Sequence, residues 1–451
     1  MIILFFATNI NNFVFPFLRD IVSIKKNASE NLILKSFWDV FGLNKKFKYI
    51  PAALAAAASS LIILYTAFAA NFIVSDEYTL IYGGNLDKNL PYFISASDKS
   101  YLAAGSGGKL SEGVVTAQNY TQKVTLKLFG AIPIKEVNVN VVKSPLVVPS
   151  GECIGVKLYA SGLITVGVVD FKTKSGETVS PAASAGIRPG DIIETLNGKK
   201  IAGISEFLRN IDKTDGECML GIVRDDKRTT VRLAPQNCED GHRRIGVMVR
   251  DSIAGIGTLT FFEKNTKQYA ALGHGISDSD TDILIPVQRG TLYKASILGI
   301  TKGKKGVPGE IMGAINEEGN LGTCHLNSKT GIYGGITAET QDYDALEIAP
   351  KSRVQKGKAT VICTLDDTGA HEYELEIVNI NRMRNNGTKS MVIKVTDPVL
   401  LRKTGGIIQG MSGSPIIQNG RLIGAVTHVF VNDPQKGYAI FAETMFEKMN
   451  K

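Results

Sequence analysis

Hydrophobic positions are spread unevenly along the chain, and the changes in their period predict its elements. From Tyr49 to Ser75 there is no charged residue, and Ala52 to Val74 consists mainly of Ala, Leu, Ile and Phe. At about 1.5 Å per residue that run crosses a hydrocarbon core of about 30 Å. Lys45, Lys46 and Lys48 precede it, and Asp76 and Glu77 follow. The positive-inside rule therefore predicts a transmembrane signal anchor over residues 49–75, with the carboxyl-terminal bulk outside the cytoplasm. Ala67-Phe68-Ala69 offers the small-x-small pattern of a cleaved signal peptide as the alternative. Residues 1–48 begin with an apolar stretch, Met1 to Phe6, that Asn9, Asn11, Asn12 and Pro16 interrupt. It is too short and broken to span a bilayer and reads as a cytoplasmic leader.

Past the anchor the period shortens to two. Val137-Asn138-Val139-Asn140-Val141 alternates as a half-buried strand does, so residues 76–150 form a stalk with a small β region rather than a pure linker. Between 151 and 236 strands and helices interleave. Ser180-Pro181-Ala182-Ala183-Ser184-Ala185-Gly186 predicts a short helix closed by a left-handed glycine, Pro189-Gly190 a turn, Asp191-Ile192-Ile193 a strand, and Asn197-Gly198 a tight turn. Ile204 to Ile211 has the period of an amphipathic helix, and Met219 to Arg224 with Thr229 to Leu233 supply closing strands. This succession resembles a PDZ domain. The resemblance implies that a peptide adds as a strand to an open sheet edge while backbone amides hold its terminal carboxylate. By position the loop concerned is Gly155-Val156-Lys157-Leu158, without the usual Gly-Leu-Gly-Phe wording.

From 240 to 451 the apolar segments are short and separated by Gly, Asn or Asp, as in Gly255 to Phe262 and Gly420 to Val426, and they predict an all-β barrel or sandwich. Helix is expected only at the end, Ala442 to Asn450. The predicted architecture is mainly β: an N-terminal transmembrane helix, a PDZ domain and a β-rich carboxyl-terminal domain.

Composition narrows the function classes. With 44% hydrophobic and 21% charged residues the 451-residue chain is ordinary globular material with room for several cores. The net charge of +8 comes from lysines and arginines scattered along the chain, some placed before the anchor, so nucleic acid is not an expected partner. The five cysteines (Cys153, Cys218, Cys238, Cys324 and Cys363) show no C-x-x-C spacing and indicate neither a zinc site nor a full disulfide framework. No metal and no cofactor are expected.

The candidate chemistry lies in Gly410-Met411-Ser412-Gly413-Ser414-Pro415. A serine between glycines has an exposed hydroxyl that a carbonyl carbon can approach, with backbone amides able to face the developing oxyanion. Gly, Ser and Pro together also mark ordinary turns. An upstream base separates the readings: Ala271-Leu272-Gly273-His274-Gly275 ends a strand-like segment on a histidine framed by glycines. The Gly-x-Ser-Gly-x-Pro block resembles the nucleophile loop of chymotrypsin-like serine peptidases. Together with Gly-His-Gly it looks like the stage IV sporulation protein B family, peptidase family S55.

The resemblance implies a chymotrypsin-like double β-barrel over 240–451, with Ser412 as nucleophile, His274 as base, and the amides of Gly410 and Ser412 as oxyanion hole. Asp397 closes the apolar strand Met391 to Val395 and matches the family's triad acid. Asp344, which starts an apolar strand as in the wider chymotrypsin-like class, is its rival. Asp278, Asp280 and Asp282 form a polar run that reads as a solvated loop, weak calcium binding being its functional rival. His242, His325, His371 and His428 lack glycine framing and read as structural, although His428 follows the nucleophile loop closely enough to line a cleft. Ser414 and Met411 depart from the residues common around a chymotrypsin-like nucleophile, which removes activation through an acid at position 411.

The family further implies a self-cleaving signalling protease of endospore formation. It would be secreted from the forespore into the space between two membranes, where it cuts a regulatory membrane protein and so triggers processing of a sigma factor precursor. The alternative is a membrane-anchored PDZ scaffold with a peptidase-shaped but inactive domain.

Overall fold

A computed structural model describes residues 74–81, 85–97, 120–337, 344–382 and 387–450, together with Phe68. The leader and nearly all of the expected anchor lie outside the described residues. Among the described residues no helix is long and apolar enough to cross a membrane. The chain divides into two units, Met1–Val74 and Ser75–Lys451. Every strand among the described residues belongs to the second.

Its first element is the small β region. Glu77–Ile81 pairs in parallel with Ile132–Val142, which continues antiparallel to Tyr120–Leu128 and Ile94–Ala96. Val124, Leu126 and Leu128, with Val137, Val139 and Val141, are buried. The period-two pattern has put one face of each strand inside.

Two closed barrels follow. In the first, Cys153–Val168 pairs with Val287–Thr301, and the path runs through Glu310–Ser328, Gly331–Ile336 and Gln268–Ala271 to Val247–Phe262. That last strand pairs back onto Cys153–Val168 and closes the ring. Val156, Leu158, Leu259, Tyr269, Leu292 and Ile332 fill it. The second consists of Gly357–Thr364, Ala370–Ile380, Met391–Val395, Lys436–Phe441, Arg421–Val429 and Pro415–Gln418. A third apolar cluster takes Phe261 and Tyr333 from the first barrel, Leu422 and Ile440 from the second, Ile81 from the small sheet and Met445 from the helix Ala442–Met449. It welds these parts together.

The PDZ strands Ile192–Leu196, Cys218–Arg224 and Lys227–Leu233 extend from the carboxyl-terminal half of Cys153–Val168. The helix Ile204–Asp212 buries Phe207 and Ile211 against Leu163, Ile193 and Leu220. Asp191, fully buried at the Pro-Gly turn, is paired to Arg224 at 2.6 Å. The PDZ region and the first barrel thus share two strands and form one continuous sheet.

That sharing corrects the expected peptide-binding segment. Gly155, Val156, Lys157 and Leu158 pair with Ile256, Gly255, Ala254 and Ile253 on one edge and with Tyr293, Leu292, Thr291 and Gly290 on the other. Both hydrogen-bonding edges are taken, so a peptide cannot add there. A second departure is the helix Pro398–Thr404. Asp397 caps it, Pro398 begins it, and Gly405 in a left-handed conformation ends it, a helix start and stop that the strand pattern around it masks.

Glu443 is buried beneath the first turn of Ala442–Met449, where its carboxylate accepts from the Lys351 amide at 2.7 Å and from the backbone of Ile81. Burial pushes its pKa up to about 7, against the opposing pull of Lys351. A carboxyl raised above its unfolded value of 4.5 favours folding while protonated, and loses that contribution as pH climbs through about 7. Denaturation midpoints of the wild type are therefore expected to fall between pH 5 and pH 8. Glu443→Gln should flatten that fall, and an unchanged slope in the variant would assign the pH dependence elsewhere.

Candidate active site

His274 and Ser412 sit on loops that meet at one strand of the second barrel, Arg421–Val429. His274 follows Gln268–Ala271 by way of Leu272, buried with φ +68, and Gly273 with φ +69. A side chain at Gly273 would come within 3.0 Å of Thr427 and 3.1 Å of Ile440, so only glycine lets the histidine turn come this close to the second barrel. Gly413 does the same from the other side. Its φ is +98, and an added Cβ would lie 2.2 Å from the Thr258 carbonyl oxygen and 2.6 Å from the Leu272 amide nitrogen. A non-glycine residue in a left-handed conformation, Leu272, sits directly in this contact, as strained residues do at sites where the surroundings over-determine them.

The two side chains meet neighbouring residues of that strand, Thr427 and His428. The Ser412 hydroxyl donates to the Thr427 carbonyl at 2.8 Å. The His274 ring lies 5.1 Å, centroid to centroid, from that of His428, the next residue, at 35°. Nδ1 of His274 hydrogen-bonds the carbonyl of Gly275 at 2.8 Å, which requires a proton on Nδ1 and leaves Nε2 as the basic nitrogen. Burial lowers the His274 pKa below its ordinary 6.5, with the Gly275 carbonyl opposing. His428 is also lowered, by partial burial first and then by repulsion from His274 and Lys389. The imidazole at the site is a neutral base near pH 7.

The nucleophile loop offers two amides. Met411, Gly413 and Ser414 donate to Ile408, Val426 and Met411 respectively. Among the described residues the N–H groups of Gly410 and Ser412, the pair expected from the resemblance, have no such acceptor. Free donors on either side of a serine hydroxyl can bind an oxyanion.

The structure does not bring Asp397 to the imidazole. Its carboxylate accepts from the amides of Val399 at 2.7 Å, Leu400 at 2.9 Å and Glu374 at 3.4 Å. The Met391 end of its strand pairs with Ala439, on the rung shared with Val426, whereas Asp397 lies beyond the opposite end. The expectation of a third side chain in line with His274 is corrected accordingly: the group on Nδ1 is a backbone carbonyl. Asp344 is exposed ahead of Leu346–Glu347. In the acidic run after His274, Asp280 and Asp282 are exposed as a solvated loop requires, and only Asp278 departs from it. Asp278 is fully buried, ion-paired with Arg250 at 2.7 Å, and accepts from the amides of Asp280 and Thr281. It ties the histidine-bearing loop to Val247–Phe262.

The same strand carries the open edge that Gly155–Leu158 lacks. Val247 to Ile256 pair on one side with Val168 to Gly155, and among the described residues no strand takes their other side before Leu259. Helix Ile204–Asp212 flanks this edge. Its Ile204 amide donates to Asp251 at 3.1 Å, and Leu208 and Met248 are exposed nearby. The turn Arg243 to Gly246 heads the edge and is fixed by the Ala182 amide donating to Ile245.

Comparison with known proteins agrees with this organisation. A family model described as SpoIVB peptidase S55 matches residues 241–446, and one described as PDZ domain matches residues 174–224. A putative zinc metalloprotease, LL2128 of Lactococcus lactis subsp. lactis (strain IL1403), is 32% identical over 115 residues, which cover 24% of this chain and 26% of that protein. The chain thus spans about a quarter of the length of that curated relative. Among solved structures, the PDZ domain of the SdrC-like protein from Listeria monocytogenes is 20% identical, covering 20% of this chain and 90% of its own, with a TM-score of 0.18. The HtrA-type protease AlgW with a tripeptide is 13% identical, covering 44% and 55%, with a TM-score of 0.27. Scores this low are no basis for argument about fold or activity.

The placement of Asp397 generates a prediction. Asparagine caps a helix about as well as aspartate, while alanine costs about 1 kcal/mol. Asp397→Asn should keep the wild-type melting temperature and near-normal peptide cleavage, and Asp397→Ala should melt earlier. Loss of cleavage by Asp397→Asn at an unchanged melting temperature would return that carboxylate to the imidazole.

Proposed function

We propose, from the match of residues 241–446 to the SpoIVB peptidase S55 model and of residues 174–224 to the PDZ domain model, that the chain is a membrane-tethered, self-cleaving serine endopeptidase. The placement of Ser412 on Thr427 and of His274 against the adjacent His428, beside two unoccupied amides, is the observation that carries the chemistry. Rotation about the Ser412 Cα–Cβ bond releases its hydroxyl from the Thr427 carbonyl towards Nε2 of His274. That nitrogen takes the proton as Oγ attacks the peptide carbonyl, and the amides of Gly410 and Ser412 receive the oxyanion. His274 then delivers the proton to the leaving amine. Water repeats the cycle on the acyl-enzyme. The Gly275 carbonyl holds the ring tautomer throughout and helps stabilise the imidazolium.

Protein segments are the substrates. An extended peptide adds to the free edge of Val247 to Arg250, beside helix Ile204–Asp212, by main-chain hydrogen bonds. The uncharged run 49–75 anchors the chain and leaves the peptidase outside the cytoplasm, in the space between the forespore membranes. There it cuts a membrane-associated regulator and thereby starts processing of a sigma factor precursor, as the family resemblance supports.

Full-length protein in vesicles should cleave itself and an added unfolded protein. Ser412→Ala and His274→Ala should each lower the rate by at least about a thousandfold. An intact, folded wild type that cuts nothing would favour the PDZ scaffold instead. The lowered pKa of His274 also sets a pH dependence: its neutral form persists below the ordinary value, so kcat/KM should rise with pH through an apparent pKa under 6.5. An acid limb centred well above 6.5 would contradict the base assignment.

A further inference from the structure

Thr258 lies outside the reacting groups, yet it touches both loops that carry them. It is buried on the strand Val247–Phe262. Its hydroxyl donates to the carbonyl of Gly410 at 2.8 Å, and its amide donates to the carbonyl of Ser412 at 3.1 Å. Its own carbonyl accepts from the amide of Leu272 at 3.2 Å, two residues before His274. Within the loop Gly410 to Ser414, Gly410 and Ser412 are also the two residues whose N–H groups have no backbone acceptor among the described residues.

We propose that Thr258 is a positioning residue of the peptidase: by holding the carbonyls of Gly410 and Ser412, it fixes the peptide planes that flank the Met411–Ser412 plane and so aims the Ser412 amide at the oxyanion. The Ser412 amide belongs to the Met411–Ser412 peptide plane. The plane before it is pinned through the Gly410 carbonyl, and the plane after it through the Ser412 carbonyl. Neither plane can rotate without breaking a bond to Thr258. Gly410 has φ +95 and glycine's freedom to flip, so a loop of this composition needs an external clamp. The bond from the Thr258 carbonyl to Leu272 places the base on the same clamp. A merely structural threonine would require the hydroxyl to be satisfied, not to be satisfied by the nucleophile loop.

The inference rests on the serine peptidase reading, and its test uses two readouts. Thr258→Val keeps the shape and amide but loses the hydroxyl, and Thr258→Ser keeps the hydroxyl. In full-length protein, Thr258→Val should lower kcat by about tenfold to a hundredfold, as misplacement of catalytic donors does, while KM stays within about threefold. Thr258→Ser should return kcat to within about threefold of wild type. Independently of turnover, hydrogen exchange at the amides of Met411, Gly413 and Ser414 should quicken at least about tenfold in Thr258→Val and remain at the wild-type rate in Thr258→Ser. If the valine variant keeps wild-type kcat and wild-type exchange, or if a fall in kcat vanishes once rates are divided by the folded fraction, the proposal is overturned. If the wild type itself proves inactive, the peptidase reading fails, and the exchange data alone decide whether Thr258 holds the loop.

Discussion

The constraint on which the site depends is the run of hydrogen bonds along one strand, Val247–Phe262. At its first residues the strand lines the PDZ helix. Arg250 then reaches the buried Asp278 of the histidine loop, and Thr258 binds the nucleophile loop and Leu272. At about 3.3 Å per residue, roughly 26 Å separate Arg250 from Thr258. A single extended segment therefore joins the open sheet edge, the loop of His274 and the loop of Ser412. It is paired along one side by Cys153–Val168 from Val247 to Thr258, with register shifts after Met248 and after Arg250, so a shift at one end strains the ladder. Gly273 and Gly413 let the loops meet at backbone distance, and the cluster of Phe261, Tyr333, Leu422 and Ile440 holds the two barrels together.

A structural consequence is that the PDZ region is not a bead on a string. Its sheet continues into the first barrel through Cys153–Val168, and the strand that completes it belongs to the peptidase segment. A peptide that occupied the open edge would lie beside Arg250, whose guanidinium holds Asp278. The small amino-terminal sheet is attached as firmly, with Ile81 in the cluster that includes Leu422, Ile440 and Met445.

What could be read from the sequence were features encoded locally. Glycines around His274 and Ser412 mark an exposed serine hydroxyl and a framed histidine, and the Pro-Gly and Asn-Gly turns mark the PDZ strands. The open sheet edge was not legible, because a strand's own residues do not say which of its two edges a distant segment will cover. Gly155 to Leu158 have the right position in the chain and the wrong neighbours in space. Asp397 misleads for a different reason: an aspartate before a proline at the end of an apolar strand is as good a helix cap as a triad acid, and Gly405 seven residues after Pro398 is the matching stop. Asp278, in the acidic run after His274, looked solvated because its partner, Arg250, is 28 residues away in sequence. Thr258 carried no signal at all, being one threonine in an apolar strand.

The central claim is that Ser412 is a nucleophile activated by His274. Treating the full-length protein with a fluorophosphonate and mapping the adduct by mass spectrometry tests it most directly. The account predicts a single adduct on Ser412 that is absent in Ser412→Ala and forms far more slowly in His274→Ala. An unmodified Ser412 in folded wild-type protein, or labelling at the same rate without His274, would contradict it.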